Sequence, residues 1–395
     1  MIDFDDDLVE LICSKDNAFR SFKQAYRGKN IVKSESQRFK QHLFCELDSI
    51  LNQLYNAKYV PLSYNRFKVY IPKEREIHSP KFRDKVAQHM LNNVLREIYE
   101  RKFIYDSYAC IRGKGNHAAV KRLYHFCKSS NQVYANPIVV KIDMSKFFYT
   151  IDRSVLIDII LKDFGEHNPK IAIYLIEIIK SSPANTTVEN GDTLGLPLGN
   201  LTSQLLANVL MNKVDQYAKN HLKIKYYMRY ADDIFIIVNG KDEAKRIEKG
   251  ITAFIETNLK LTVNPKKSGY YPLFQGIDGL GFSTSHKGIR ITQRTKQSIR
   301  KLISDINRDY QKNTIDYIFR ERQLNSYKSF ISVCNNTGYM DNIIESNPIL
   351  RIDTNGNYKV ERKYNKNGKM IIRNSAYIGE IDMTRPENND LFLYG

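Results

Sequence analysis

Two adjacent carboxylates, Asp232 and Asp233, are the residues of this sequence best placed to do chemistry. They lie within the stretch KYYMRYADDIFIIV, in which apolar residues alternate before the pair and run continuously after it. This pattern predicts two short strands joined by a turn at Ala231-Asp232-Asp233. Like charges beside a core cost free energy unless a cation compensates them. The pair is therefore either a solvent-exposed turn or half of a divalent-metal site, and the second interpretation needs a third carboxylate.

Asp143 is the candidate for that third carboxylate, because it ends a β-branched strand predicted over residues 138–142. A strand-end Asp facing a hairpin-borne Asp pair is the layout of a nucleotidyl transferase with two Mg²⁺ ions about 3.5–4 Å apart. Such ions activate a 3′-hydroxyl and stabilise the departing pyrophosphate, and their oxygen ligands require no His or Cys. Each Asp alone has an ordinary explanation, but the order of strand Asp, Gly-rich loop and hairpin pair is more specific.

The remaining elements must hold these carboxylates in place. Apolar periodicity predicts helices within 1–60 and over 84–103, 153–180, 202–219, 242–258 and 293–310. Further strands are predicted at 67–71, followed by a charged turn at 73–76, and at 259–263 and 279–282. The dipeptides Asn355-Gly356 and Asn367-Gly368 predict two hairpins near the end of the chain.

Composition points to a polyanionic partner. The 395 residues carry 61 basic and 43 acidic side chains, for a formal charge of +18, which suits nucleic acid. The alternative is a protein that merely runs basic. We find no apolar run of the roughly 20 residues that a membrane span needs, so no membrane partner is expected. The five cysteines are scattered without a CxxC pair, which favours reduced thiols in the cytoplasm and no zinc site.

Four ordered motifs resemble the palm motifs of bacterial reverse transcriptases: IVVKIDMSKFFYTID, GLPLGNLTSQLLAN, YMRYADDIFIIV and GIDGLGF. The resemblance spans about Phe67 to Phe282. Two upstream segments, PKEREIHSPKFRD and SYACIRGKGNHAAV, are similar to the enzymes of diversity-generating retroelements and to the related reverse transcriptases of phage defence. The loop sequence GNLTSQ also resembles that group, whereas group II intron and retron enzymes usually end this loop in Ser-Pro.

The resemblance implies an α+β right-hand polymerase. Its parts would be a helical N-terminal extension at 1–60, fingers at 61–140 and a palm at 141–283 with a helical insert at about 153–194. A thumb at 284–340 and a β-hairpin tail at 341–395 would follow.

The resemblance also assigns roles to individual residues. Asp143, Asp232 and Asp233 would be catalytic and hold two Mg²⁺ ions, with Mn²⁺ as a possible substitute. Asp233 is expected to contribute more weakly, because successive strand side chains point to opposite faces. The tail hairpins would add a surface for RNA or for self-assembly.

Six further residues would bind the incoming nucleotide. Phe148 would press on the sugar and exclude ribonucleotides, or it is a core aromatic like Phe147. Gln204 would contact the nucleotide, or it is a helix-surface amide. Gly199 would let backbone approach the nascent pair. The remaining three are cations of the fingers and palm, with an exposed charged turn or a solvated pair as the alternatives: Lys73, Arg75 and Lys266, the last interchangeable with Lys267.

Nucleic acid would contact two basic segments. The loop SYACIRGKGN offers Arg112 and Lys114 to the template. Residues 287–330 carry eleven basic side chains against four acidic ones, a net +7, which suits a thumb that grips duplex phosphates. Its candidate contacts are Arg294, Lys296, Arg300 and Lys301, and the alternative is a solvated helix face.

These features lead to the hypothesis of an RNA-directed DNA polymerase that uses dNTPs, an RNA template and a DNA primer or product. One role is defence, in which a dedicated structured non-coding RNA is copied to block phage. The alternative is error-prone cDNA synthesis in a diversity-generating retroelement, with an accessory protein; a homo-oligomer is also possible. A non-catalytic RNA-binding scaffold and priming by one of the 26 tyrosines are the remaining hypotheses.

Overall fold

A computed structural model describes residues 4, 6–27, 34–69, 74–181, 194–335 and 338–363. The helices are α1 Leu8–Ile12, α2 Lys15–Tyr26, α3 Ser34–Gln41, α4 Leu43–Tyr55, α5 Phe82–Lys102, α6 Asn116–Val133, α7 Phe147–Thr150, α8 Arg153–Phe164, α9 Pro169–Ser181, α10 Leu201–Gln216, α11 Lys241–Leu259, α12 Gln293–Gln311, α13 Tyr317–Ile331 and α14 Gly338–Glu345. The strands are β1 Asn65–Val69, β2 Arg75–Ser79, β3 Pro137–Ile142, β4 Tyr226–Tyr230, β5 Asp233–Asn239, β6 Gly269–Pro272, β7 Ile277–Gly279, β8 Phe282–Ser285, β9 Gly288–Ile291, β10 Leu350–Ile352 and β11 Tyr358–Val360.

The carboxylates belong to a four-stranded antiparallel sheet with the order β4-β5-β3-β6, which we name the palm sheet. The predicted hairpin is confirmed, since β4 pairs with β5 from Tyr226 opposite Ile237 to Tyr230 opposite Asp233. The predicted strand at 138–142 is also confirmed as β3, which pairs with β5 on one side and β6 on the other. Antiparallel pairing places the end of β3 beside the start of β5.

Both faces of the palm sheet are buried, and alternate residues enter two different cores. Val140, Ile142 and Ile236 pack against the N-terminal helices, α5 and α8–α11. Val139, Phe235 and Ile237 pack against α6, the sheet β7-β8-β9 and the C-terminal helices. Because strand side chains alternate between faces, this double burial explains the nearly continuous apolar run of β5. The site is thereby held by packing from both sides.

The predicted helical character of the N-terminal segment is confirmed by α1–α4, of which α2 packs along α5. A buried amide lies in this interface: Asn93 of α5 donates to Asn17 Oδ1 at 3.0 Å and to Ser21 Oγ at 3.1 Å. Asn17 donates in turn to the carbonyl of Met90. These bonds fix the position of α5, whose other side carries the contacts to α10.

Two local predictions were wrong. The segment 259–263 is not a strand, because α11 continues to Leu259 and ends at Lys260 in the left-handed conformation, with φ of 53°. Val263 then forms only an isolated bridge with Met144. The charged turn predicted at 73–76 does not include Arg75 and Glu76, which lie in β2 and pair with β1. Apolar side chains in 259–263 are buried by their tertiary neighbours without a strand partner.

The C-terminal part combines α12, α13, α14 and the hairpin of β10 and β11. The hairpin prediction at Asn355-Gly356 is confirmed, with Gly356 at a φ of 76°; the one at Asn367-Gly368 lies outside the described residues. Asn325 of α13 donates to Tyr358 O and accepts from Tyr358 N, both at 2.8 Å. The described part of the predicted tail is therefore packed into the same core as α12 and α13.

Over the described ranges, the model has no helix that combines the length and the apolar character needed to span a membrane.

Candidate active site

The register of the palm sheet brings the three carboxylates together. Ile142 lies opposite Ile234 in the antiparallel pair β3 and β5. The next residue on β3, Asp143, therefore lies across from Asp233, and Asp232 precedes it in the turn. The turn itself begins at Ala231, whose φ of 52° is in the left-handed region. A single sheet edge thus presents all three side chains.

The electrostatics of this edge strongly disfavour three negative charges. Burial, together with repulsion from Asp233 and Asp143, raises the pKa of Asp232 to about 7. Burial also raises the pKa of Asp233 to about 6, an effect that Lys141 and Lys267 oppose and Asp143 reinforces. A divalent cation would relieve this repulsion and favour the ionised carboxylates.

Asp143 is oriented by three neighbours on the chain that follows α11. Its Oδ1 lies 3.2 Å from Lys267 Nζ, and its Oδ2 accepts from Asn264 Nδ2 at 3.2 Å. Its backbone N donates to Ser268 Oγ at 3.0 Å. The sequence left Lys266 and Lys267 interchangeable, and the structure separates them: Lys267 meets the carboxylate, whereas Lys266 is exposed and uses its backbone N to bond Asn264 Oδ1.

The donor set fits a hard divalent cation, since it consists of carboxylate oxygens with no sulfur or imidazole ligand. In the described part of the chain, no three His, Cys, Asp or Glu side chains converge as a finished ligand cluster. At the proposed site, both oxygens of Asp143 are engaged, one by Lys267 and the other by Asn264. An ion held between the three carboxylates would compete with these two contacts for the oxygens of Asp143.

Phe148 is buried behind this edge. It packs edge-on against Phe147, with ring centroids 5.2 Å apart. Its carbonyl accepts from Leu196 N at 2.7 Å, and Gly195 N donates to the carbonyl of Ile151 at 2.8 Å. Arg153 Nε donates back to the carbonyl of Gly195 at 2.9 Å. These bonds place the Gly-rich loop directly beside the segment that carries Phe148.

Position 199 requires a glycine for a packing reason that the sequence did not suggest. A Cβ at this position would lie 2.2 Å from the carbonyl oxygen of His78 in β2. The close approach is thus to a strand of the predicted fingers. Nearby, Asn200 Nδ2 donates to Tyr64 OH at 2.9 Å, and Leu201 N donates to Gln88 Oε1 at 3.1 Å. The loop therefore connects β2 and α5 to the segment that carries Phe148.

Of the other three predicted nucleotide ligands, the structure describes two. Gln204 lies in the first turn of α10, just after the Gly-rich loop, and is partly exposed. Arg75 is the first residue of β2, where it pairs with Val69. Lys73 lies outside the described residues.

The predicted template loop is folded around one of its own cations. Lys114 Nζ donates to the carbonyls of Tyr105 and Ser107, the latter at 3.2 Å. Burial lowers the pKa of Lys114, although Asp106 and Glu100 oppose the shift. Arg112 is exposed on the same loop. Lys114 therefore helps to shape the loop, and Arg112 is the one of this pair that projects into solvent.

Three of the four predicted thumb cations lie on the solvent-exposed side of α12. Ile299, Leu302, Ile303 and Ile306 are buried on the opposite face. Arg294, Arg300 and Lys301 are exposed, while Lys296 is partly exposed with its Nζ 5.6 Å from the ring centroid of Tyr339. Because one face of α12 is buried and the other faces solvent, the exposed cations are accessible to phosphates.

Sequence reasoning missed the partners of Asp143 and a second polar cluster beneath the turn. Asn264 and Ser268 flank a Pro-containing turn, which could have suggested side chains held in fixed positions. Arg229 alternates with apolar residues in β4 and is fully buried with Asp215. A charged residue at an inward strand position is the signal that could have identified this pair.

A family model described as "Reverse transcriptase (RNA-dependent DNA polymerase)" matches residues 70–284. Protein YkfC of Escherichia coli K12 is 24% identical over 307 residues, which cover 69% of this chain and 78% of that protein. The COX1/OXI3 intron 2 protein of Saccharomyces cerevisiae is 24% identical over 275 residues, 56% of this chain and 31% of its own length. The chain thus spans less than a third of this intron protein.

A search of solved structures finds a structure of telomerase from Candida albicans with a fragment of telomeric RNA. It is 12% identical, covers 64% of this chain and 50% of its own, and has a TM-score of 0.42.

Proposed function

This chain belongs to the reverse transcriptase (RNA-dependent DNA polymerase) family, and from that premise we propose that its three carboxylates carry out DNA synthesis on an RNA template. The observation that carries the proposal is the register that sets Asp143 across from Asp233. In the reaction, the primer 3′-hydroxyl attacks the α-phosphate of a dNTP. A new phosphodiester forms, and the bond to pyrophosphate breaks.

Asp143, Asp232 and Asp233 would hold two Mg²⁺ ions, for which Mn²⁺ could substitute. When bound, the ions lower the pKa of the attacking hydroxyl and neutralise the charge of the departing pyrophosphate. The raised pKa values of Asp232 and Asp233 support this role, because the site is built to gain from a cation. Asn264 and Ser268 keep Asp143 oriented toward the edge of the sheet.

Lys267 would change partners during the reaction. It is about half exposed, with 52% of its side chain accessible, and its Nζ is 3.2 Å from Asp143. With Asp143 holding a metal ion, the ammonium group of Lys267 would be available to the triphosphate of the nucleotide. A lysine is suited to this exchange since it acts as a mobile point charge.

Phe148, Gly199 and Gln204 would form the pocket for the incoming nucleotide, together with Lys73 and Arg75 of the fingers. Phe148 is backed by Phe147 and fixed by the bond from Leu196 N. A rigid aromatic at the sugar would exclude the 2′-hydroxyl of a ribonucleotide. Arg112 and Lys114 would contact the template, and the outer face of α12 would grip the duplex through phosphates.

For the biological role, we propose the copying of a dedicated non-coding RNA in antiphage defence. The resemblance of PKEREIHSPKFRD and SYACIRGKGNHAAV to that group supports it, and so does the hairpin of β10 and β11, which adds surface to the thumb. The same segments resemble diversity-generating enzymes, which are the second candidate. None of the five cysteines, which all lie in the described residues, forms a disulfide, which is in keeping with a cytoplasmic enzyme.

The test is to purify the protein with the RNA it retains from its native locus and add Mg²⁺ and dNTPs. DNA whose sequence matches a bound structured RNA supports the defence proposal. A mutagenised copy of a neighbouring gene segment instead indicates diversification. Tightly retained RNA with no DNA under any dNTP mixture would replace both by a non-catalytic scaffold, provided that the Asp232→Asn protein retains the same RNA.

A further inference from the structure

Arg229 is a fully buried arginine in β4, an outer strand of the palm sheet, one residue before Tyr230 and three before Asp232. Its counter-ion is Asp215 of α10, which is also fully buried, with Nη2 and Oδ2 2.8 Å apart. Arg229 Nε also donates to both oxygens of Asp215, at 2.8 and 3.0 Å. The planar guanidinium matches this carboxylate as a two-pronged fork. The pair therefore has one fixed geometry.

The guanidinium also bonds the catalytic turn directly. Arg229 Nη1 donates to the carbonyl of Ala231 at 2.9 Å. Ala231 has a φ of 52°, in the left-handed region that an L-residue with a Cβ rarely adopts. The direction in which Asp232 and Asp233 leave the strand depends on this conformation. Arg229 thus holds the residue that aims the carboxylates.

Two more bonds tie the same guanidinium to other elements. Nη2 donates to Ser107 Oγ at 3.0 Å, and Nη1 donates to Asn208 Oδ1 at 2.9 Å. Asn208 of α10 donates in turn to the carbonyl of Ala109 at 2.9 Å. The strand backbone adds to the connection, since Arg229 N donates to the carbonyl of Asp106 at 2.9 Å. The loop at 106–109 is therefore fixed to the turn.

The outer side of that loop is basic. Arg122 forms a two-pronged contact with Asp106, at 2.7 and 3.1 Å. Lys114 donates to the carbonyl of Ser107, whose hydroxyl is the acceptor for Arg229. A single buried side chain thus connects the predicted template loop, helix α10 and the carboxylate turn.

We propose that Arg229 is a positioning residue for nucleotide incorporation, which holds the turn at Ala231 in its left-handed conformation and fixes it to the template loop. The proposal rests on the polymerase function proposed above. A purely stabilising role explains the geometry less well, because a buried ion pair is often no more stabilising than apolar residues of the same volume. The bond to Ala231 O is what a positioning role requires.

The decisive variant is Arg229→Lys, which keeps the charge beside Asp215 but loses the fork. With poly(rA)·oligo(dT), dTTP and Mg²⁺, we expect kcat to fall about 100-fold, the loss that a small misplacement of reacting groups can cause. KM for dTTP should change less than about twofold, because the residue does not touch the nucleotide. Ser107→Ala removes a single acceptor, and a fall of about threefold is expected there.

The matched control is Tyr99→Phe. It removes a buried hydroxyl that donates to Asp163 Oδ2 at 2.9 Å, in a contact between α5 and α8. This variant should lower the melting temperature and leave kcat unchanged. If Arg229→Lys and Ser107→Ala behave like Tyr99→Phe, with lower stability and wild-type kcat, the positioning role is wrong.

A rescue separates positioning from general stability. Glycine adopts the left-handed conformation without a penalty, so adding Ala231→Gly to Arg229→Lys should restore kcat by about tenfold, the factor that corresponds to the cost of that conformation for an L-residue. No recovery at all in the double variant contradicts the proposal.

Hydrogen exchange of the backbone amides at 231–233 provides a readout that does not depend on synthesis. Faster exchange in Arg229→Lys and Ser107→Ala, but not in Tyr99→Phe, supports the positioning role even if the wild type extends no primer, in which case only the polymerase proposal fails. Should Arg229→Lys not fold, Ser107→Ala decides: unchanged exchange and unchanged kcat there overturn the inference.

Discussion

The palm sheet and the helix α12 use charged residues in opposite ways. Around the carboxylate turn, Arg229 and Asp215 are fully buried and bonded to fixed partners, and Asp143 has a neighbour on each oxygen. On α12, Arg294, Arg300 and Lys301 are exposed. One region therefore depends on exact placement of a few groups, and the other on the number of positive charges along a face.

The two regions should respond differently to substitution. In the palm, a change of one atom shifts reacting groups, so the rate of synthesis should fall while binding persists. On α12, each cation contributes a similar share of the affinity for phosphates, so substitutions should weaken binding in proportion to their number. Mutational effects thus distinguish geometry from charge.

The largest effect is expected for Asp143→Asn. Loss of a metal ligand removes several kcal/mol of charge stabilisation, and the rate of dNTP incorporation should fall by about 1,000-fold. The folded protein should persist, because the amide oxygen of the variant can still accept one of the two bonds from Lys267 and Asn264. The substitution also buries no new charge. Primer extension and thermal unfolding measured side by side check this, and a rate within tenfold of the wild type would remove Asp143 from the site.

The next effect concerns two adjacent lysines, which form a matched pair. Lys267→Ala should lower the rate about tenfold, because Asp143 Oδ1 loses its contact of 3.2 Å with the ammonium group. Lys266→Ala should stay within about twofold, since surface substitutions away from such contacts have small effects. Single-turnover incorporation measures both. Equal losses in the two variants would show that charge near the nucleotide matters more than the contact with Asp143.

Substitutions on α12 should act on binding alone. Arg300→Ala is expected to weaken the affinity for a primer–template duplex and to reduce the slope of log K against log salt by about 1, the share of a single phosphate contact. The single-turnover rate at saturating duplex should remain that of the wild type. Filter binding at several salt concentrations tests this, and an unchanged slope would make α12 a solvated face.

The smallest effect on synthesis is expected where the hairpin docks on α13. Asn325→Ala removes both bonds to the backbone of Tyr358, which should cost about 1–3 kcal/mol of stability because the strand groups are left unsatisfied. Asn342 is an exposed residue of α14, and Asn342→Ala serves as the control with no change. Chemical denaturation measures the stability of both variants. If Asn325→Ala costs no more stability than Asn342→Ala, the docking of the hairpin is unimportant.

The sequence predicted the hairpin of β4 and β5 and the strand β3 correctly because their patterns are local. Alternation and β-branched runs define the strands, and an antiparallel sheet then has little freedom in where Asp143 lies. The strand predicted at 259–263 was wrong for the complementary reason. Its apolar residues are buried by tertiary contacts, and a left-handed Lys260 ends the helix without starting a strand.

The remaining features depend on contacts between distant parts of the chain. The need for glycine at position 199 comes from His78, far away in sequence. The choice between Lys266 and Lys267 is made by the turn at Asn264. Arg229 shows its role only when Ser107, Asn208 and Asp215 are seen around it. No periodic pattern reveals such meetings.

The central claim is that the carboxylate turn performs the chemistry of DNA synthesis, separately from duplex binding. The most direct test is single-nucleotide incorporation by Asp232→Asn on poly(rA)·oligo(dT) with dTTP and Mg²⁺, with duplex affinity measured on the same preparation. We predict wild-type affinity and a rate lower by about 1,000-fold. Incorporation by the variant at a rate close to that of the wild type, with the affinity unchanged, would contradict the account.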